Sequence, residues 1–403
     1  MRLKSMRLEN FRAVEHAVIE FGNRLTLLIG ANGSGKTTIL DGIAIALGAA
    51  LTYLPTLSGR SFKKGDLHQR HNSIAPYTRI ALETTTGLKW DRIQRRDKSK
   101  STSKLVPAAD GIRALEQFLD ATILEPMNQG SDYLLPLFIY YGVSRALLDV
   151  PASRKGFTKK QHRFDALVHC LHADSRFRSA FMWFYNKELE ENRLQKEKKS
   201  FEVTLRELDV VRSAITAMFP DISEPHIALN PLRFVVRQQG ELMDIAQLSD
   251  GYKTLLGVVI DLSSRLAMAN PHLDDPLAAE AIVMIDEVDL HLHPSWQQHV
   301  VGDLLRTFKN TQFIITTHSP FIVEAINNHI KRQQIEGLPI NNNEVNQLLP
   351  LRSSDVKAYL MSDTIEMLMN NDVALLDDKL LEYFNSQNQL YDKMRDLEWE
   401  HKG

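Results

Sequence analysis

The sequence predicts an α/β protein with a mostly parallel core sheet, an antiparallel β-lobe, a helical insertion and a short helical C-terminal tail. Three observations carry the core. Residues 25–29 are apolar at every position but Thr26, residues 281–285 are apolar throughout, and the run from Phe313 is apolar until Thr316. Such unbroken runs read as strands covered on both faces, as in parallel sheets. Each run ends in glycine or polar residues, at Gly30, at Asp286-Glu287 and at Thr317-His318, so polar groups gather at one edge of the sheet.

The first run leads into Gly30-Ala-Asn-Gly-Ser-Gly-Lys-Thr37 and then into a helix through Thr38, Ile39 and Leu40. Strand, glycine-rich loop and helix in this order are the context of a Walker A phosphate loop, in which backbone N–H groups and a helix N-terminus converge on phosphates. Gly30, Gly33 and Gly35 let the chain curl closely, Lys36 supplies a point charge, and Thr37 offers a hydroxyl to Mg²⁺. Asn32, Ser34 and Thr38 complete the binding loop.

Asp286 and Glu287 stand at the end of the second run, where Asp286 is placed for the Mg²⁺ shell and Glu287 for the water that attacks a γ-phosphate. His318 closes the third run, positioned to bond that phosphate and report its loss. In Leu248-Ser-Asp-Gly-Tyr-Lys-Thr254, helical spacing of Leu255, Leu256, Val259, Leu262 and Leu266 makes Ser249 an N-cap. Capping leaves Gly251 unexplained, since glycine in a first turn costs up to about 1 kcal/mol against alanine. A position without a side chain suits close approach of a phosphate.

These blocks, in this order, resemble the ABC-type ATPase head of SMC and RecF-like proteins. Asp250 and Tyr252 depart from that class's usual LSGG signature with Gln or Glu after it, and the departure resembles the OLD and AAA-21 branch. The resemblance implies ATP and Mg²⁺ as ligands and a homodimer sandwiching ATP, with Ser249, Asp250 and Gly251 reaching the partner's nucleotide. The opening LENFRAVEHAVIEF resembles the same class, in which the residue matching Arg12 lies near the nucleotide. The resemblance implies that Asp289-Leu-His-Leu-His-Pro294 is a D-loop making an inter-subunit contact; His-x-His with His299 fits no standard metal-ligand spacing. The stretch from Phe138, FIYYGVSRALLD, sits where a Q-loop belongs but has no glutamine, leaving Tyr141 and Arg145 as candidates for γ-phosphate sensing.

The roughly 210 residues between Thr38 and Leu248 exceed what one helix and a return strand need. Residues 78–95 alternate around Thr-Thr-Gly and predict an antiparallel hairpin. Residues 164–218 read as helical, with Glu and Lys at i,i+4 spacing. Basic clusters at Lys63 and Lys64, at Arg92, Arg95, Arg96, Lys98 and Lys100, and at Arg154, Lys155, Lys159, Lys160 and Arg163 are either solvated loops or nucleic-acid contacts. The tail from Leu375 to Trp399 reads as polar and helical.

The chain has 403 residues, 43% hydrophobic, with a formal net charge of −2, so a globular core is expected and no global field selects a polyanion. A single cysteine, Cys170, excludes an internal disulfide. The start MRLKSMRLENFR carries charges where a signal peptide needs an apolar run, and the charge-poor residues 43–58 are too short to span a bilayer; no membrane association and a cytoplasmic location are expected.

The expected organisation is residues 1–150 as the N-terminal half of the head, 151–230 as the helical insertion, 231–330 as the C-terminal half, and 331–403 as a helical region for partner docking. No Toprim pattern follows His318, so no nuclease activity is expected from the chain itself. A head so built is similar to the PtuA ATPases of Septu anti-phage systems, also found with some retrons. That resemblance implies an HNH nuclease (PtuB-like) as partner, with a retron reverse transcriptase and its DNA as a further one. A RecF-like DNA clamp and a degenerate OLD-type nuclease are the alternatives.

Overall fold

The computed structural model describes residues 1–70, 73–144, 162–173, 178–339, 341–362, 364–370 and 375–376. Its six-stranded core sheet runs, edge to edge, Ile365–Met367, Val356–Met361, Leu25–Gly30, Thr311–Thr317, Ala281–Ile285 and Leu137–Tyr141. All neighbours are parallel except the first pair. The three apolar runs occupy adjacent central places and are buried along their whole length. Register sets their C-terminal ends level: Ile29 lies opposite Thr317, and Ile285 lies opposite both Ile315 and Tyr141.

The β-lobe is antiparallel, in the order Val14–Glu20, Leu3–Phe11, Tyr77–Thr84, Lys89–Arg95. The expected hairpin is present, and Tyr77–Thr84 alternates half-buried with buried residues as a one-sided sheet requires. Two buried side chains fasten the lobe to the core. Trp90 Nε1 donates to the Ala46 carbonyl (3.0 Å) on helix Lys36–Tyr53. Gln312, fully buried, donates through Nε2 to the carbonyls of Leu3 and Gly22 and accepts the Leu3 N–H, each at 2.8 Å. An amide so satisfied carries no desolvation deficit.

The insertion is helical at Arg178–Lys198 and Arg206–Met218. The continuous helical reading of 164–218 is corrected at residues 199–205, where Lys199 adopts φ +51° and the chain reverses. Glu191 clamps the two helices together, receiving both Arg212 guanidinium nitrogens (3.0 and 2.9 Å) and the Leu205 N–H. The expected helical boundary at 230 gives way to a strand, Ile222–Leu229, which forms a small antiparallel sheet with Leu232–Gln238 and Glu241–Asp244.

The C-terminal region is also corrected. Instead of a helical region from 331, the chain forms helices Pro320–Gln334 and Asn343–Gln347 and then returns to the core sheet as Val356–Met361, beside the phosphate-loop strand. Val356, Ala358, Tyr359 and Met361 are buried, so six residues suffice for a strand too short to stand out from a helical pattern. Leu375–Leu376 pairs antiparallel with Met369–Asn370 rather than opening a helix; the rest of the expected tail lies outside the described residues. No helix among the described residues is long and apolar enough to cross a membrane.

Candidate active site

The phosphate loop turns from strand to helix at Gly33 (φ +83°) and Gly35 (φ +94°), backbone states that side chains with a Cβ resist. Helix Lys36–Tyr53 follows directly. Lys36 curls back so that Nζ donates to the carbonyls of Gly30 (2.8 Å) and Ala31 (2.9 Å). Burial lowers the pKa of its ammonium, and the fields of Glu287, Asp286 and Asp289 oppose that shift. The lysine and the acidic strand end, 250 residues apart in sequence, therefore share one site.

Asp286 is the hub. Its Oδ2 accepts the Thr37 hydroxyl (2.8 Å) and its Oδ1 the Thr316 hydroxyl (2.6 Å). Burial raises the Asp286 pKa, and the two hydroxyls, Thr316 and Thr37, pull it back toward the ionised form. A hydroxyl and a carboxylate side by side are hard oxygen donors, a set that fits a small divalent cation. Glu287 is held at φ +48°, with its N–H on Thr316 Oγ1 (2.7 Å) and its Oε1 3.4 Å from His318 Nε2. Asp289 accepts the Thr317 hydroxyl (2.6 Å) and faces the His318 N–H (3.4 Å).

Thr316 and Thr317 thus shape the site, although sequence reasoning gave roles only to their neighbours, and Asp289, expected as the start of a D-loop, also holds the histidine strand end. Two adjacent threonines at a buried strand's end were the available signal, because hydroxyls there need acceptors.

An open cavity of about 1330 Å³ lies over the loop, lined by Gly30, Asn32, Gly33, Ser34, Gly35 and His318, by residues 13–18 of the β-lobe and by residues around Met361 and Ile365. Among the described residues, Ser34 Oγ is buried without a hydrogen-bond partner. Thr38, the third residue of the helix, does not line this cavity. Arg12 stands below, its Nε on Asp66 (2.9 Å) and a terminal nitrogen on Asp41 (2.7 Å), which also receives Arg60 at 2.7 Å.

The residues expected to form a signature open another helix. Ser249 caps helix Asp250–Ala269 by accepting the Tyr252 N–H (3.4 Å), and Asp250 pairs with Lys253 at 3.0 Å; both Ser249 and Asp250 are exposed, and neither lines the phosphate-loop cavity. Gly251 is buried, and a Cβ there would stand 2.4 Å from the His291 carbonyl oxygen. Its lack of a side chain lets the helix start press against the loop after Asp289, which supplies the reason that capping left open.

Tyr141 is corrected as a sensor: it is fully buried and its hydroxyl donates to Asp261 (2.8 Å), which also pairs with Arg265 (2.8 Å). Arg145 lies outside the described residues. The basic clusters divide. Arg92 donates to the carbonyls of Ile45 and Arg60, Arg96 pairs with Asp97, and Arg163 bonds the carbonyls of Ala269 and Tyr133. Lys63, Lys64, Arg95, Lys98 and Lys100 are exposed, whereas Arg154, Lys155, Lys159 and Lys160 lie outside the described residues. His293 caps helix Pro294–Gln297, its Nδ1 accepting the Ser295 N–H.

The AAA domain family matches residues 5–224, more than half the chain, and the AAA ATPase domain family matches residues 173–323. The retron Ec83 probable ATPase of Escherichia coli is 29% identical, over 81% of this chain and 70% of its own. The retron Vc95 probable ATPase of Vibrio cholerae serotype O1 biovar El Tor is also 29% identical, over 75% and 67%. A Septu protein PtuA of Bacillus mycoides (strain KBAB4) matches 82 residues at 38% identity, 20% of this chain and 11% of that protein. A solved SMC head bound to the C-winged helix domain of ScpA superposes with a TM-score of 0.46 at 15% identity, over 93% of this chain and 100% of that one. At that level the fold is read from the strand order itself. With a Walker loop, an acidic strand end and a histidine brought together on a parallel sheet, the chain belongs to the AAA domain family and is an ATPase related to retron ATPases and Septu PtuA proteins.

Proposed function

We propose that the chain is the ATP-hydrolysing sensor subunit of an anti-phage defence complex, dimerising around ATP and controlling an associated HNH nuclease. The observation that carries the ATPase part is the convergence of Lys36, Thr37, Asp286, Glu287 and His318 at level strand ends. The kinship with retron and Septu proteins supports the defence setting. A cytoplasmic location belongs to the same reading.

In this reading the N–H groups of residues 33–37 and the Lys36 ammonium bind the β- and γ-phosphates once Lys36 leaves its loop carbonyls. Thr37 and Asp286 would hold Mg²⁺, which would supply charge neutralisation to the phosphates. Glu287 takes the proton of the attacking water, and His318, 3.4 Å away, bonds the γ-phosphate. Exposed Ser249 and Asp250 at the start of helix Asp250–Ala269 serve the nucleotide of a two-fold partner.

The test is light scattering on purified Glu287→Gln protein with saturating ATP and Mg²⁺. A dimer that dissociates when nucleotide is removed is expected; a monomer throughout would reject the sandwich. Co-expression with neighbouring genes tests the partner: recovery of an HNH-bearing protein is expected, and an isolated chain that grips DNA would favour a clamp.

A further inference from the structure

Ser319 opens helix Pro320–Gln334 in the N-cap position, where a serine hydroxyl ordinarily accepts a backbone N–H of the first turn. Among the described residues this hydroxyl makes no such bond. It is buried and donates instead to Gln297 Oε1 at 2.5 Å, while Gln297 Nε2 donates to the Leu292 carbonyl at 2.9 Å. That carbonyl can only accept, so it fixes the amide with its nitrogen toward Leu292 and its oxygen toward Ser319. A serine that leaves its cap for a side chain 22 residues away breaks a local rule, and such breaks belong where a functional site must be held.

The residue held here is His318. Before it, Thr317 donates to Asp289 (2.6 Å) and accepts the Ser319 N–H (3.0 Å); after it, Ser319 is tied to Gln297. Asp289 and Gln297 belong to the loop and short helix that follow Glu287, so this segment grips the strand end on both sides of the histidine. The 3.4 Å between His318 Nε2 and Glu287 Oε1 depends on how those two segments sit against each other. The short helix Pro294–Gln297 is itself seated. Trp296 packs edge-on against Tyr252 of helix Asp250–Ala269, with 4.7 Å between ring centroids, and lies 5.4 Å from Phe219.

We propose that Gln297 is a positioning residue for ATP hydrolysis: through Ser319 it sets the backbone of His318, and with it the place of the imidazole beside Glu287 and the γ-phosphate. The inference rests on the reading of His318 as the group that bonds that phosphate.

The experiment measures single-turnover hydrolysis and ATP affinity on the full chain with Mg²⁺. Gln297→Leu removes both hydrogen bonds of the amide, and Ser319→Ala removes the donor from the other end of the link. Each should slow hydrolysis about 10- to 100-fold, the scale of a misplaced catalytic group, with ATP affinity at the parental value. The double variant should be no slower than the slower single one, because both break the same link. His318→Ala should itself be slow, and Gln297→Leu or Ser319→Ala added to it should bring no further loss. Should Gln297→Leu fail to fold, Ser319→Ala carries the same comparisons. Parental rates in Gln297→Leu or Ser319→Ala, with a loss in His318→Ala, overturn the role of Gln297 alone. A parental rate in His318→Ala overturns the assignment of the histidine and this inference with it. A further loss in the His318→Ala background, or a fall in ATP affinity in both Gln297→Leu and Ser319→Ala, would show a general structural effect and also overturn it.

Discussion

Glu287 occupies the left-handed region at φ +48°, which a residue with a Cβ holds only where its surroundings enforce it. Here the enforcing contact is its N–H on Thr316 Oγ1, the same hydroxyl that donates to Asp286. Replacing Glu287 by Gln should slow hydrolysis by about 10²- to 10⁴-fold, the range for losing a general base, or roughly 2.7 to 5.5 kcal/mol of barrier. ATP binding should persist, and unchanged single-turnover rates would remove Glu287 from that role. Gly251 makes a separate prediction. A Cβ 2.4 Å from the His291 carbonyl forces backbone apart, so Gly251→Ala should destabilise the fold by about 1–3 kcal/mol, read as a lower urea midpoint. A parental midpoint would mean that the loop yields freely.

At the scale of elements, the hairpin of the β-lobe carries two kinds of arginine. Arg92 lies against helix Lys36–Tyr53 through the Ile45 and Arg60 carbonyls, so Arg92→Gln should lower stability by about 1.5–3 kcal/mol. Changing exposed Arg95, Lys98 and Lys100 to Gln should spare stability and flatten the salt dependence of duplex binding by about 0.9 in log–log slope for each phosphate that the variant no longer neutralises. Identical slopes for variant and parent would mark the segment as a solvated loop.

Helix Pro320–Gln334 offers a pH test. His329 is buried with its Nδ1 near the Leu349 carbonyl, and burial depresses its pKa from 6.5 to about 4. The unfolded chain therefore takes the proton first. The histidine's contribution is intact above pH 6.5 and lost as pH falls toward 4, by up to roughly 3 kcal/mol. Urea unfolding between pH 7.5 and 4.5 should show a shallower loss in His329→Leu than in the parent; parallel curves would contradict the assignment.

For the whole molecule, a dimer around ATP in which exposed Ser249 serves the partner's nucleotide predicts sites completed across a two-fold axis. Lys36→Ala removes a phosphate charge, and Ser249→Arg places bulk at a helix N-terminus where a phosphate approaches. Each should be inactive alone. Mixed in equal amounts, about half the dimers pair an intact Lys36 with an intact Ser249, one good site in two, so about a quarter of the sites should return. No recovery in verified mixed dimers, where the parent tolerates one working site, would argue for a site built within a single chain.

What the sequence by itself determined are features written in consecutive residues: the apolar runs, the glycine loop, the Asp286-Glu287 pair, the His318 strand end and the Ser249 cap. Period and end residue sufficed there because buried parallel strands are apolar throughout and their C-terminal ends share one edge. Only the tertiary structure decided which partners distant residues take. Arg12 meets Asp41 and Asp66, Tyr141 meets Asp261, Gly251 meets His291, and Val356–Met361 slots beside the phosphate-loop strand. None of these pairings leaves a local trace, because a side chain's partner is chosen by where the sheet brings another element, and a six-residue strand is recognisable as core only once a neighbour covers it.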